Sequence, residues 1–209
     1  MAYSFNGTTQ YLLESAAPTT STPVTLAGWF KKTSASVAGT CIAICNGSND
    51  GNWRRTSMTG SAKVNCDVNS NYYAIEATGT YSAGAWVHVC GVITSSSSRT
   101  AYRDGGNSAT GSGTEGTLTL TRCSIGVLAR PSIVEYFDGD IAECGIWNVA
   151  LTADEVAALG KGFSPRRIRP QSLIRYIPLV RDVRELRNAV TISPQNSPTA
   201  GAAHPRTYR

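Results

Sequence analysis

Tyr136 to Pro165 reads YFDGDIAECGIWNVALTADEVAALGKGFSP, and this stretch decides the fold. Asp140 to Asn148 alternates as a half-buried strand requires. Ile141, Glu143, Gly145 and Trp147 would share one face, and Asp140, Ala142, Cys144 and Ile146 the other. Thr152 stands three residues before Glu155, the spacing of a capping box, which opens a helix near Thr152 to Leu159. Gly160 and Gly162 stop that helix, and Pro165 bars its continuation. A long strand and one short helix, in a chain otherwise rich in short strand-like segments, predict an all-β domain.

Composition agrees. The chain has 209 residues, 20 of them glycine, and only 16% are charged, which suits a full sandwich core with short strands and tight turns. No apolar run follows a basic start, so no export signal is expected, and no stretch nears the ~18 apolar residues of a membrane span. The six cysteines, Cys41, Cys45, Cys66, Cys90, Cys123 and Cys144, are expected as buried free thiols in a reducing cytoplasm. A disulfide or two is the alternative. Cys41 and Cys45 bracket an apolar run and would share one face of a strand. No C-x-x-C knuckle for zinc is present.

Five further segments match the Tyr136–Pro165 stretch in kind and order. Phe5-Asn6-Gly7 leads to Tyr11-Leu12; Thr25 to Lys31 reads TLAGWFK; Trp86 to Ile93 reads WVHVCGVI; Ala101 to Gly105 reads AYRDG; Ser124-Ile125-Gly126 follows. Together they resemble the laminin-G-like, concanavalin A-like jelly rolls. That resemblance implies a two-sheet antiparallel sandwich over residues 1–180, with Trp29, Trp86, Val89, Ile141 and Trp147 in or lining the sheets. Residues 181–209 are left as a basic, proline-containing C-terminal arm. The family includes lectins, glycanases, adhesion modules and virion proteins, so the fold alone does not assign a function.

Charge separates the two parts. Residues 1–160 carry 9 Lys+Arg against 12 Asp+Glu, net −3; residues 161–209 carry 10 against 2, net +8, which sums to the total of +5. Nine of those ten are arginines, whose planar fork suits fixed contacts at an interface. Arg166, Arg167, Arg169, Arg181, Arg184, Arg187, Arg206 and Arg209 are the candidate partner-binding residues. They alternate with Ile, Leu, Val and Pro, and no nucleic-acid motif is present, so nucleic acid is not the expected partner. Ordering about 29 residues costs ~1–2 kcal/mol each, and the arm looks too poor in apolar groups to repay that on its own domain. It is therefore expected to be dispensable for folding and to contact a neighbour.

Catalysis finds little support. The family's glycanases resemble E-x-D-x-x-E, where two carboxylates flank a glycosidic bond. Here the nearest match is Asp138-Gly139-Asp140-Ile141-Ala142-Glu143, with Asp for the first Glu. In a regular strand Asp138 and Asp140 would face away from Glu143. No catalytic residue and no cofactor are expected. His88 reads as a structural histidine, and His204 lies in the arm. Calcium is an alternative, with Asn49, Asp50 and Asn52 or Asp67, Asn69 and Asn71 as candidate loops, although these are also ordinary turn residues. Trp53, Tyr72 and Tyr73 are candidate glycan-stacking residues, and Tyr81 is a weaker one.

Leaderless members of the family with a post-helix L-x-x-Y-x-P-L strand and a terminal H-P-R look like bacteriophage proteins. Leu173 to Leu179 and His204-Pro205-Arg206 supply both features. The resemblance implies a non-enzymatic virion protein made in the host cytoplasm. The expected role is a capsid decoration (cement) protein, present as a homo-oligomer and docked on the major capsid protein or another virion protein. A fibre or tail component, or a carbohydrate-binding module for host surface glycans, is the alternative; a glycanase comes last.

Overall fold

The computed structural model describes residues 2–68, 73–180, 182–205 and 208. Tyr72, Asn69, Asn71, Arg181, Arg206 and Arg209 lie outside the described residues. The strands are β1 (Ala2–Asn6), β2 (Tyr11–Glu14), β3 (Val24–Lys32), β4 (Gly39–Cys45), β5 (Trp53–Met58), β6 (Val64–Val68), β7 (Tyr73–Glu76) and β8 (Val87–Ser95). They continue with β9 (Ser98–Arg103), β10 (Asn107–Ser112), β11 (Arg122–Ile125), β12 (Asp138–Trp147), β13 (Leu173–Ile177), β14 (Ser193–Gln195) and β15 (Thr199–Ala202). The one α-helix among the described residues, α1, spans Ala153–Gly160. One sheet runs β10-β9-β8-β3-β12-β1-β15, with β13 also on β12; the other runs β14-β2-β11-β4-β5-β6-β7. All pairings between these strands are antiparallel, the pattern of a jelly-roll sandwich.

Three apolar clusters hold the layers. Phe5, Leu12, Leu26, Phe30, Ile42 and Ile141 belong to the large one between the sheets. Trp147, Leu151, Val156, Leu159 and Tyr176 seat α1 on the outside of the first sheet. The third buries Trp53 with Ala43, Cys45 and Val127 on the outside of the second. Each fully buried large side chain of this kind contributes about 1.5–3 kcal/mol. The predicted capping box is present: Thr152 Oγ1 accepts from Glu155 N at 3.3 Å, and Glu155 Oε2 accepts from Thr152 N at 2.8 Å. Gly160 lets the helix sit directly on the β9–β10 turn, since a Cβ there would lie 2.5 Å from Gly105 Cα.

Two bulges correct the expected alternation. β12 pairs with β3 along one side and passes its other side from β1 to β13; Ile141 faces Tyr3, and Cys144 faces Ile177. At that handover the β3 register breaks between Ala142 and Gly145, and Glu143 takes φ +55°. Ile141 to Trp147 are consequently all buried, with core on one side and α1 on the other. A second register shift, between Thr40 and Ile42, separates Cys41 from Cys45. Cys41 enters the inter-sheet core and Cys45 the outer cluster, so the two do not share a face. All six cysteines are buried and free, and burial pushes every thiol up, Cys45 to about 11.

The C-terminal segment, expected as a separate arm, is in its described part woven into the sandwich. β14 extends the second sheet beside β2, and β15 extends the first beside β1. Between β13 and β14 the chain is held by Glu185, which is only 2% exposed. Its Oε1 accepts from Tyr176 N at 2.8 Å and Arg187 N at 2.7 Å, and its Oε2 from Asn188 N at 2.7 Å. Leu186 N donates to Tyr176 O at 2.8 Å, so this loop caps the free edge of β13. Backbone hydrogen bonds at the sheet edges offset part of the ordering cost, a source that apolar content does not reveal.

Candidate functional site

Where β12 exchanges β1 for β13, the surface opens into a groove of about 590 Å³. One wall is the 3-10 turn Pro165–Arg167, entered through Ser164, whose Oγ accepts from Arg166 N at 3.4 Å. The other is the Glu185-anchored loop, which supplies Val180, Asp182, Arg184 and Leu186. Tyr176 and Pro178 form the floor. The Arg166 guanidinium stands 5.9 Å over the Tyr176 ring, a cation–π contact. Arg166 and Arg167 are exposed, and Arg184 is 74% exposed with its one acidic partner, Asp182, 3.8 Å away.

A buried polar chain runs beneath this floor. Tyr176 OH donates to Glu143 Oε2 at 2.6 Å and lies 3.4 Å from Ser164 Oγ. Glu143 Oε1 lies 3.1 Å from His204 Nε2, and His204 Nδ1 is 2.7 Å from the Pro205 carbonyl. The Glu143 contact is an ion pair only when the imidazole is protonated. Burial first, then the neighbouring Glu143, pushes the Tyr176 hydroxyl well up, so it stays a proton donor. Glu143 is 2% exposed, with Oε2 bonded by Tyr176 and Oε1 beside His204, while Asp140 is engaged elsewhere, with Ser4 at 2.6 Å and Lys31 at 3.1 Å. The two carboxylates therefore serve separate structural partners even though the bulge breaks the regular strand.

Of the arginines marked from the sequence, Arg166, Arg167 and Arg184 come together at the groove. Arg169 pairs with Glu155 of α1 at 2.5 Å. Arg187 donates from Nε to Leu173 O at 3.0 Å and so serves the loop's attachment. Arg181, Arg206 and Arg209 are outside the described residues. Trp53 is 7% exposed, packed between the Arg55 and Arg130 guanidinium groups at 5.8 and 5.3 Å, and presents no open stacking face. Tyr73 is half-buried, with the Arg99 guanidinium 5.7 Å over its ring, and Tyr81 is buried with its hydroxyl donating to Thr59 O. Tyr72 is outside the described residues.

Of the calcium candidates, Asp67 is fully buried in a two-pronged pair with Arg55, and Asp50 accepts from Ser132 N and Oγ. Asn52 Oδ1 accepts from Thr119 N. No group of three or more His, Cys, Asp or Glu side chains converges on a metal position among the described residues. His88 is buried 5.4 Å from the Trp29 ring, and burial lowers it to about 3.

The residues that sequence reasoning missed are Tyr176, Glu185 and the pairing of Glu143 with His204. An Asp/Glu inside a basic segment, here Glu185 amid arginines, was the available signal. An exposed aromatic pair beside the groove was also missed: the Phe163 and Tyr208 rings meet at a tilt of 48°, their centroids 5.7 Å apart, with Ser164 N donating to Tyr208 O.

Known proteins place the fold. The match to the family model described as the concanavalin A-like lectin/glucanases superfamily covers residues 6–157. The groove's residues, 164 to 186, lie beyond that span. No curated protein sequence matches this chain. A heptameric SAP-like pentraxin from Limulus polyphemus superposes with a TM-score of 0.67 at 16% identity, over 97% of this chain and 95% of that one. A putative carbohydrate-binding protein from Bacteroides ovatus gives 0.64 at 14% identity, over 95% of this chain and 61% of that one. The Ruminococcus gnavus IT-sialidase CBM40 bound to alpha2,6 sialyllactose gives 0.59 at 15%, over 76% and 96%. Sheet topology, helix placement and the matched family model agree: this chain belongs to the concanavalin A-like lectin/glucanase superfamily.

Proposed function

We propose that this chain is a non-enzymatic binding protein that attaches to a larger particle through the arginine-lined groove. The carrying observation is that Arg166 and Arg184 stand exposed at one apolar-walled groove while the sandwich arginines Arg54, Arg55, Arg99 and Arg175 are buried. Arginine beside apolar and aromatic groups is the composition of protein interfaces. The setting we favour is a bacteriophage virion, assembled from protein made in the host cytoplasm. There the chain would be a capsid decoration protein in several copies, held by the major capsid protein or another virion protein, with a fibre or tail position as the variant. A mass-spectrometric inventory of purified source virions should find the chain at a stoichiometric level; its absence from virions would overturn that setting.

A lectin-like role is the second reading. It is favoured by the exposed Phe163–Tyr208 pair, which offers ring faces beside the groove, and by the likeness to proteins whose names describe glycan binding. A glycan-array screen with wild type and Phe163→Ala decides it: glycan binding lost in the variant supports this role, and no binding by wild type removes it.

A further inference from the structure

We propose that the groove takes a short acidic segment of a partner protein, with an apolar side chain of that segment seated between Leu186, Val180 and Pro178. This rests on the docking function proposed above and adds the chemistry of the occupant. Charge is the first argument. Arg166 and Arg184 face the groove, and its one carboxylate among the described residues, Asp182, lies 3.8 Å from Arg184, too far for a hydrogen bond. Among the described residues no acidic side chain pairs with Arg166. A guanidinium fork matches a carboxylate in plane and spacing.

Apolar surface is the second argument. Five large apolar side chains are exposed among the described residues, and three of them, Leu186, Phe163 and Tyr208, gather at this groove and its Ser164 end. Such clustering at a cavity marks a contact site rather than scatter. The lining also argues against a saccharide as occupant. Among the described residues its only aromatic ring, Tyr176, is 5% exposed and covered by Arg166, so a sugar would find no open stacking face in the groove itself. A volume of about 590 Å³ lies within the ~300–1,000 Å³ typical of ligand clefts. The walls are preformed, because Glu185 fixes the loop and Ser164 fixes the turn, so little ordering is required on binding.

The probe is a fluorescein-labelled octapeptide of repeated Asp-Asp-Leu, titrated by anisotropy against the full chain. Asn-for-Asp and Ser-for-Leu versions and an oligogalacturonate competitor accompany it. The Asp-Leu peptide should bind, more weakly at high salt, and both altered peptides should lose at least about tenfold. Arg166→Gln and Arg184→Gln should each weaken binding about threefold to fivefold while leaving the melting transition in place. Equal binding of the Asp and Asn peptides overturns the proposal. So does binding of the oligogalacturonate in place of the peptide. If no peptide binds but Arg184→Gln still strips the chain from virions, the occupant proposed here is wrong and the docking function stands. If virion attachment ignores both substitutions, the docking function itself fails.

Discussion

The sandwich and the groove use arginine in opposite ways. Arg54, Arg55, Arg99 and Arg175 are 5%, 3%, 0% and 9% exposed. Arg54 meets Glu115, Arg55 meets Asp67 and Glu135, and Arg175 reaches across from β13 to Glu14 of β2, linking the two sheets. Arg99 donates from its two terminal nitrogens to the carbonyls of Ser96, Tyr73 and Gly113, while its buried Nε has no partner among the described residues. These are expensive charges to bury, and each survives because its neighbours hold it. Arg166 and Arg184 are exposed, and among the described residues neither has a hydrogen-bonded acid. The difference teaches that segment charge does not locate function. Arg175 and Arg187 belong to the basic C-terminal segment, yet both serve the sandwich.

The strongest way to break this comparison is to remove residues after Val180. If the segment were only an attachment arm, the remaining sandwich would fold unchanged. The structure instead predicts that the cut uncovers β1, β2 and β13, and leaves Glu143 without His204. At about 1 kcal/mol per lost hydrogen bond, the loss should be roughly 5 kcal/mol or more, enough to erase a typical domain's stability. Urea unfolding and size-exclusion chromatography measure it. A truncated chain that is monomeric and unfolds at the wild-type midpoint would restore the separate arm.

A narrower test removes one acid from the buried set. Asp67→Ala takes away the two-pronged partner of Arg55, leaving Thr40 and Glu135. The expected cost is about 3 kcal/mol, because the guanidinium remains buried. A shift in the urea midpoint worth less than about 1 kcal/mol would place Arg55 with the weakly coupled surface charges.

The buried set also includes a histidine kept neutral. Burial lowers His88 to about 3, whereas an unfolded histidine titrates near ~6.5. Between those values the unfolded chain takes up a proton that the folded chain refuses. Stability from this group is therefore complete above pH ~6.5 and declines as pH falls towards ~3, by about 3 kcal/mol near pH ~4.5. His88→Leu should flatten that part of the stability–pH curve. An unchanged slope would show that the acid sensitivity belongs to the paired carboxylates.

Legibility follows the range of the interaction. The α1 cap was readable because Thr152 and Glu155 bond within one turn. The two sheets were readable because strand order repeats the family's motifs. The bulge at Glu143 was not, since it arises where β12 trades β1 for β13. Nor was the burial of Trp53, which needs Arg130 from a distant loop. The groove was half legible: the arginine-rich segment drew attention, but which arginines meet depends on β13 reversing the chain between Arg166 and Arg184. The anchoring by Glu185 was not legible because its partners are backbone N–H groups, which no side-chain pattern displays.

The smallest expected effect is the sharpest discriminator. Arg184→Gln removes a 74% exposed charge whose nearest acid is 3.8 Å away, so stability should change by less than about 0.5 kcal/mol. Arg166→Gln loses only the contact with the Tyr176 ring, and should stay near the same limit. Arg187→Gln is the control from the same segment. It loses the Nε bond to Leu173 O, so its cost should be higher, about 1 kcal/mol. Thermal melts of the three variants rank them, and attachment assays should rank them in reverse, with Arg166 and Arg184 mattering and Arg187 not. If stability and attachment fall together across all three, the two sets of arginines are one, and the groove is merely another part of the sandwich's internal bonding.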